Sequence, residues 1–235
     1  MQARQLPEAS RTLEPVERVL TSFQHYRHYA LGPLRRAGSQ VSSDTILSAD
    51  GLNVFSVLRN WRDKRADEGR YDFVREGLRQ AFRETFDGLE FETAGQTVAA
   101  RLFAPNTNSS VGHYFAPDGL MVALLHLTAV ASTIEGGLIS IDEFETSLHP
   151  YAIRALLQVI DDWCDPRSIS LMLATHSPVV LDRFKETPDR VLVMDPREEI
   201  TPIPLDKLRD PEWLAHFSLG DLYLHDEYAA QVRSA

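Results

Sequence analysis

Residues 137–150 carry the strongest fold signal in the chain and read Gly-Leu-Ile-Ser-Ile-Asp-Glu-Phe-Glu-Thr-Ser-Leu-His-Pro. The apolar run at 138–141 predicts a short strand that is covered on both faces and therefore lies inside a parallel sheet. This strand ends in Asp142 and Glu143, so two carboxylates come to the carboxyl edge of the sheet, where such sheets bind ligands. Pro150 then predicts the start of a helix.

The two adjacent acids can do different chemistry. Successive residues leave a strand in different directions, so Asp142 and Glu143 can point at different partners. One carboxylate can hold a hard cation such as Mg²⁺, directly or through water. Its neighbour can orient or polarise an attacking water. A strand end with two solvated acids is the simpler alternative, and the pair alone does not decide between them.

Two neighbouring segments favour a ligand site. A second apolar strand at 169–174 is followed by Thr-His-Ser-Pro, which places His176 after the same sheet edge, where it can donate a hydrogen bond to a phosphate oxygen. The segment Ala-Pro-Asp-Gly at 116–119 precedes an apolar helix at 120–134, and its free backbone N–H groups suit either an anion or a plain helix cap. Further strands are expected at 191–194 and 199–204. Strands alternating with helices in this order predict right-handed crossovers and a parallel sheet.

The remaining sequence predicts a three-part organisation. Within the first part, residues 16–29 show a weak helical pattern and residues 34–39 read as a basic loop. Within the second, helices are expected at about 52–61 and 71–86, followed by a hairpin that turns at Ala94-Gly95. The predicted regions are a leader with an irregular basic segment at 1–46, a helical region with a β-hairpin at 47–110, and an α/β lobe at 111–235.

Composition narrows the function classes. The 235 residues hold 34 acidic and 24 basic side chains, and residues 111–235 alone carry 20 acidic and 9 basic ones, which argues against broad nucleic-acid binding by that part. A single cysteine excludes a disulfide framework and a cysteine-based zinc site, and it fits a reducing cytoplasm. No apolar run approaches 18 residues, so we expect no membrane span, and no secretory signal is expected either.

At these residues the chain resembles a known family. Asp-Gly-Leu-Met from residue 118, Leu-Ile-Ser-Ile-Asp-Glu-Phe-Glu-Thr-Ser-Leu-His-Pro at 138–150 and Leu-Ala-Thr-His-Ser-Pro at 173–178 resemble the C-terminal lobe of an ABC-type ATPase head. The most similar group is the RecF/SMC-like bacterial ATPases, often labelled AAA. The resemblance extends over about residues 47–224, including Leu-Ser-Ala-Asp-Gly-Leu-Asn from residue 47 and Phe-Ser-Leu-Gly-Asp-Leu-Tyr-Leu from residue 217. It implies a P-loop NTPase-like α/β fold, a parallel sheet flanked by helices, with ATP and Mg²⁺ as cofactors.

The resemblance also implies roles for single residues. Asp142 would be the Walker B aspartate that serves Mg²⁺, and Glu143 the catalytic glutamate that acts on water. Residues 145–150, with Ser147 toward the nucleotide, would form the D-loop that communicates across a dimer of heads. His176 would be the switch histidine that senses the γ-phosphate. Asp118 and Gly119 would stand in the signature motif, which contacts the nucleotide of the opposite head.

Two departures accompany the resemblance. Pro117 stands where such heads place a serine for the γ-phosphate, and proline offers neither a hydroxyl nor an N–H. The 235 residues also contain no G-x-x-x-x-G-K-[ST] run, so they supply neither a backbone cradle nor a lysine for the phosphates. The fold is therefore expected to be incomplete at its N-terminal lobe.

Three functions are compatible with these residues. The first is the C-terminal portion of an ATPase head that hydrolyses ATP when a P-loop half, a separate chain or a missing segment, completes it. The second is a non-hydrolytic interaction module derived from such a head. The third is a metal-dependent nuclease that uses Asp142, Glu143 and Glu145, with Asp195 as a further acid. Expected partners are a second head or a P-loop half, and DNA or a nuclease; arginines at 35–36 and 59–83 could follow a nucleic-acid backbone.

Overall fold

The computed structural model describes Glu17 and residues 21–107, 109–194 and 201–225, which fall into two compact units, Met1–Ala174 and Thr175–Ala235. The described residues of the first unit form two sheets and several α-helices. Its strands are β1 Gln24–Tyr26, β2 Ser39–Gln40, β3 Gly88–Ala94, β4 Thr97–Phe103, β5 Ser110–Gly112, β6 Leu138–Asp142 and β7 Ser170–Ala174. Its helices are α1 Leu31–Ala37, α2 Val54–Asp63, α3 Glu68–Ala81, α4 Asp118–Ser132 and α5 Pro150–Cys164.

The parallel sheet has the order β1-β6-β7, with both neighbours parallel to β6. The register pairs Tyr26 with Ile141 and Asp142 with Ala174, so the three strands end at one edge. In β6, Ile139 and Ile141 are fully buried and Ser140 nearly so, which confirms the strand that the apolar run predicts. The α/β fold with a parallel sheet flanked by helices is thereby confirmed.

The first strand of this sheet corrects a sequence prediction. The weak helical pattern of residues 16–29 is wrong at Gln24–Tyr26, which form strand β1. Three residues carry too little periodicity to be recognised as a strand, and their pairing with β6 decides the conformation. Tyr26 is buried, and its hydroxyl donates to the carbonyl of Leu47.

Helix α1 is a second correction. Residues 34–39 read as a basic loop in the sequence, yet residues 31–37 are helical. Leu34 anchors the helix in the core, and Gly38, with a φ of +67°, ends it by donating its N–H to the Leu34 carbonyl. With a ψ of −158°, this conformation is accessible essentially to glycine alone, and a Cβ there would also meet the Val98 carbonyl oxygen.

Helix α4 forms the centre of the core. Every residue from Leu120 to Ser132 is buried, so the helix is covered all round, as its apolar sequence predicts. Helices α2, α3 and α5 pack against it. These helices confirm the sequence expectations to within a few residues at their ends.

The antiparallel sheet has the order β2-β4-β3, with β5 also paired to β4. Strands β3 and β4 are paired along their full length, from Gly88 opposite Phe103 to Ala94 opposite Thr97. The predicted hairpin is confirmed, but its two-residue turn is Gly95-Gln96, one position later than predicted, because Ala94 still pairs with Thr97.

The second unit is built from short elements around its own core. They are α6 Pro178–Asp182, β8 Leu192–Val193, β9 Ile203–Pro204, α7 Leu205–Leu208, α8 Pro211–Leu214 and α9 Leu219–Leu224. Leucines and a valine of this unit form one buried cluster: Leu181, Val191, Leu205, Leu214, Leu219 and Leu222. Strand β8 lies within the expected 191–194 segment, but its predicted place in the parallel sheet is wrong, because it pairs antiparallel with β9.

No helix among the described residues is long and apolar enough to cross a membrane.

Candidate functional site

The carboxyl edge of the parallel sheet presents the predicted acid pair. Asp142 is the last residue of β6, and its side chain is 30% exposed. Arg27, the first residue after β1, lies with its Nε 3.4 Å from Asp142 Oδ2. The Asp142 carboxylate is therefore partly accessible, and its partner at this edge is the positively charged guanidinium of Arg27.

Glu143 begins the acid turn, as we call residues 142–147. It is exposed and has a φ of +51°, in the left-handed region that non-glycine residues rarely adopt. Its backbone N–H donates to the carbonyl of Ala174 at 2.9 Å, which ties the turn to β7. Thr146 donates its N–H to the Glu143 carbonyl at 3.0 Å and its hydroxyl to Glu143 Oε2 at 3.4 Å. Strained backbone held in this way is typical of functional sites.

Gly119 and Ser147 are brought together. A Cβ atom at Gly119 would lie 2.6 Å from the Ser147 carbonyl oxygen, a distance that real Cβ atoms essentially never show. Ser147 itself has a φ of +63° and is exposed. The two positions that the resemblance assigns to the signature motif and the D-loop thus touch within the first unit, and the contact requires glycine.

The helix-start segment, residues 116–119, is held by an arginine from α1. Arg35 Nη2 lies 2.6 Å from Asp118 Oδ1, and the same nitrogen donates to the carbonyl of Ala116. Pro117 precedes the first turn of α4 and makes no side-chain capping bond. The Asp118 carboxylate therefore neutralises Arg35 and also lies at the positive end of the helix dipole.

His176 belongs to the second unit. Its ring is exposed, and Nδ1 lies 2.7 Å from the Tyr223 hydroxyl of α9. Gly220 of the same helix lies so close to Pro178 that a Cβ would come within 2.7 Å of the Pro178 carbonyl oxygen. The Thr-His-Ser-Pro segment and the 217–224 segment, which share the family resemblance, thus pack on each other.

The carboxyl edge of the parallel sheet, with Asp142, fits a magnesium ion that takes most of its ligands from phosphate oxygens and waters. Among the described residues, no group of three or more His, Cys, Asp or Glu could hold a metal. Mg²⁺ commonly takes one or two carboxylates and completes its shell with phosphate oxygens and waters. A single accessible carboxylate at Asp142 suits that role and does not suit an all-protein metal centre.

Three residues that contact the acid pair, the acid turn or the helix-start segment are not among the predicted site residues: Arg27, His126, whose Nε2 lies 3.1 Å from the Phe144 carbonyl oxygen, and Arg35, which the sequence predicts only as part of a basic loop that could follow nucleic acid. Arg27 would follow from recognising β1, because residues after parallel strands share one edge. His126 is a buried histidine in an otherwise apolar helix, which is a local signal. Arg35 gives none, since its partners lie 81 and 83 positions away.

Several of the arginines at 59–83 are paired with neighbouring side chains. Arg75 pairs with Asp72, Arg79 with Asp87, and Arg59 donates to Thr93. This pattern is typical of a solvated helix surface with interleaved acids.

Comparison with known proteins identifies the class. Residues 46–182, more than half of the chain, match the family described as "AAA domain, putative AbiEii toxin, Type IV TA system". The chain belongs to this family and carries an AAA-type ATPase domain. The predicted likeness to AAA-labelled ATPases is confirmed at this level, whereas the narrower likeness to RecF/SMC-like heads stays a prediction.

A curated relative gives a second comparison. The chain is similar to protein ea59 of Escherichia phage lambda, with 35% identity over 71 residues. The match covers 30% of this chain and 14% of the phage protein, so the chain spans only a small part of that relative.

Proposed function

We propose that this chain is the catalytic-acid portion of an ABC-type, RecF/SMC-like ATPase head and hydrolyses ATP once a P-loop-bearing half completes it. The single observation that carries the proposal is the end of β6, where Asp142 offers an accessible carboxylate and Glu143 projects from a left-handed turn. One carboxylate to hold the metal and a neighbouring one to orient the water would supply two of the parts that phosphoryl transfer to water uses.

In this proposal each acid has one task. Asp142 holds the divalent cation, which when bound neutralises phosphate charge. Glu143 accepts a hydrogen bond from the attacking water and orients it toward the γ-phosphate, so that ADP and phosphate leave. Ser147 and Gly119, which touch each other, would face nucleotide across a pair of heads. His176 would donate to the γ-phosphate, and Tyr223 beside its Nδ1 would orient the ring.

The missing phosphate grip is proposed to come from a separate P-loop half. Strand β7 supports this partner. Four of its five residues are apolar, as in a strand covered on both faces, yet its residues alternate between exposed and half-buried, and Met172 is 50% exposed. In the described part of the chain β7 pairs with β6 alone. A further parallel strand beside β7 would bring its loop to the same edge as the acid pair.

The test is ATP turnover in two settings. We expect the purified 235-residue chain alone to release no phosphate from Mg²⁺-ATP. Mixed with a P-loop-containing protein from an adjacent reading frame, it should hydrolyse ATP. Glu143→Gln should lower kcat about a hundredfold or more while ATP binding persists. Tight ATP binding and hydrolysis by the chain alone would overturn the proposed division between halves, and full turnover by Glu143→Gln would overturn its role.

The alternatives make different predictions. For an interaction module, Glu143→Gln and His176→Ala would leave cellular function intact. Pro117 and the Arg35–Asp118 pair favour this alternative, because they leave few free hydrogen-bond donors in the helix-start segment for a phosphate.

For a nuclease, Mn²⁺-dependent DNA cleavage without ATP would be lost in Asp142→Ala. Its further acid, Asp195, lies outside the described residues. Binding to DNA, a nuclease or a second head is likewise a proposal to be tested with the completed head.

A further inference from the structure

Helix α4 carries a buried imidazole. His126 is 3% exposed and lies in the run of buried residues that fills the core. Both ring nitrogens have a polar partner at 3.1 Å: the Tyr29 hydroxyl at Nδ1 and the Phe144 carbonyl at Nε2. A buried polar group is costly unless its hydrogen bonds are made, and here both are made.

The partners fix the tautomer of the ring. A carbonyl only accepts, so Nε2 of His126 must carry the proton and donate it to Phe144. Nδ1 is then an acceptor, and the Tyr29 hydroxyl donates to it. Burial lowers the pKa of His126 to about 4 and raises that of Tyr29, so the imidazole is neutral and the phenol protonated at neutral pH.

The hydrogen bonds from Tyr29 to His126 and from His126 to Phe144 form a relay, and this relay ends on the residue next to the candidate catalytic glutamate. Phe144 follows Glu143, is fully buried, and its ring stacks on the imidazole with centroids 4.8 Å apart and an interplanar angle of 16°. His126 thus holds both the carbonyl and the ring of Phe144. On the other side, the Glu143 N–H is held by Ala174. The left-handed conformation of Glu143 lies between these two fixed points.

We propose that His126 is a positioning residue that, through Phe144, keeps Glu143 in its left-handed conformation and aims its carboxylate at the attacking water. The catalytic consequence rests on the proposed function; the conformational one does not. Tyr29 is the outer member of the relay and fixes which ring nitrogen donates.

The test is amide hydrogen exchange, read by NMR on the purified chain without nucleotide. His126→Leu removes both hydrogen bonds, whereas His126→Gln can keep one donor and one acceptor. Thr128→Val is the matched control, because Thr128 is buried on the same helix and its hydroxyl donates to the Leu124 carbonyl of that helix. The reporters are the amides of Glu143 and Thr146, compared with that of Ile141 in β6.

In His126→Leu we expect the Glu143 and Thr146 amides to exchange about tenfold faster relative to Ile141, as expected for loss of a local hydrogen bond. His126→Gln should restore exchange to within about threefold of the wild type. Thr128→Val should change the exchange rates of all three amides by the same factor. A common factor in His126→Leu as well, or unchanged Glu143 and Thr146 amides, would overturn the proposal.

A second measurement applies if His126→Leu does not fold. In the wild-type chain, ¹⁵N NMR of the His126 ring should show the neutral Nε2–H tautomer at pH 6, and an Nδ1–H tautomer would overturn the relay. Neither readout involves ATP, so the relay can fail while ATP hydrolysis is found, and the reverse. In a completed head, His126→Leu should lower kcat more than it changes KM, and His126→Gln should recover part of that loss.

Discussion

The acid turn and the helix-start segment touch at Gly119, yet different forces hold them. The acid turn is held by the core, through the fully buried Phe144 and its hydrogen bond with His126. The helix-start segment is held near the surface, by an ion pair between Arg35 and an Asp118 carboxylate that is 61% exposed. Hydrogen bonds inside the core are insensitive to salt but depend on the protonation of their members, whereas a partly exposed ion pair is screened by salt. The two halves of the candidate site should therefore respond to different conditions.

The largest expected effect is the loss of stability at low pH, through protonation of the buried His126. The pKa of His126 is lowered from 6.5 to about 4, so the fold favours the neutral ring. Its contribution to the free energy of unfolding is complete above pH 6.5 and is lost as the pH falls toward 4, because the unfolded chain binds the extra proton. The loss is about 3 kcal/mol. Urea denaturation across this pH range should show a steep slope in the wild type and a shallower one in His126→Gln; equal slopes would contradict the assignment.

The contact between the two regions should give the next largest effect. In Gly119→Ala the new Cβ meets the Ser147 carbonyl oxygen at 2.6 Å, and two backbone segments must separate. We expect a loss of about 1–3 kcal/mol in the free energy of unfolding. Gly69→Ala is the control, since no atom lies within 4 Å of its Cβ position and alanine favours the helix α3. Denaturation curves that move equally in both variants would show that Gly119 and Ser147 are not in contact.

Loss of the ion pair between Arg35 and Asp118 should change the free energy of unfolding least. Arg35→Met keeps an apolar stem but loses the ion pair with Asp118, and we expect a cost of about 1 kcal/mol at low salt. The difference from wild type should shrink in 1 M NaCl, where the screening length is about 3 Å. Asp118→Asn should behave in the same way. A difference in denaturation midpoint that is independent of salt would mean that packing of the Arg35 side chain, and not its charge, holds the segment.

Local patterns explain what could be predicted. Strand β6 and the hairpin of β3 and β4 have alternating or continuous apolar residues bounded by turn signals, and both follow from the sequence. The acid pair at the end of β6 follows from the same pattern, because a parallel strand delivers its last residues to the ligand edge.

The remaining features depend on partners that are distant in the sequence. Strand β1 is extended because it pairs with β6, more than a hundred residues later. The relay joins Tyr29 to His126 across 97 positions, and His126 to Phe144 across 18. No window of sequence holds both members of such a pair, so a histidine in an apolar helix signals only that some partner exists.

Strand β7 has a practical consequence. It is a five-residue strand, Ser-Leu-Met-Leu-Ala, with no charge and no proline, and in the described part of the chain it pairs on one side only. Natural proteins protect such edges with charges, prolines or bulges, because a bare edge adds strands from other molecules. The chain produced by itself is therefore expected to self-associate at high concentration, and co-expression with the proposed P-loop half, if it adds a strand beside β7, should improve its yield.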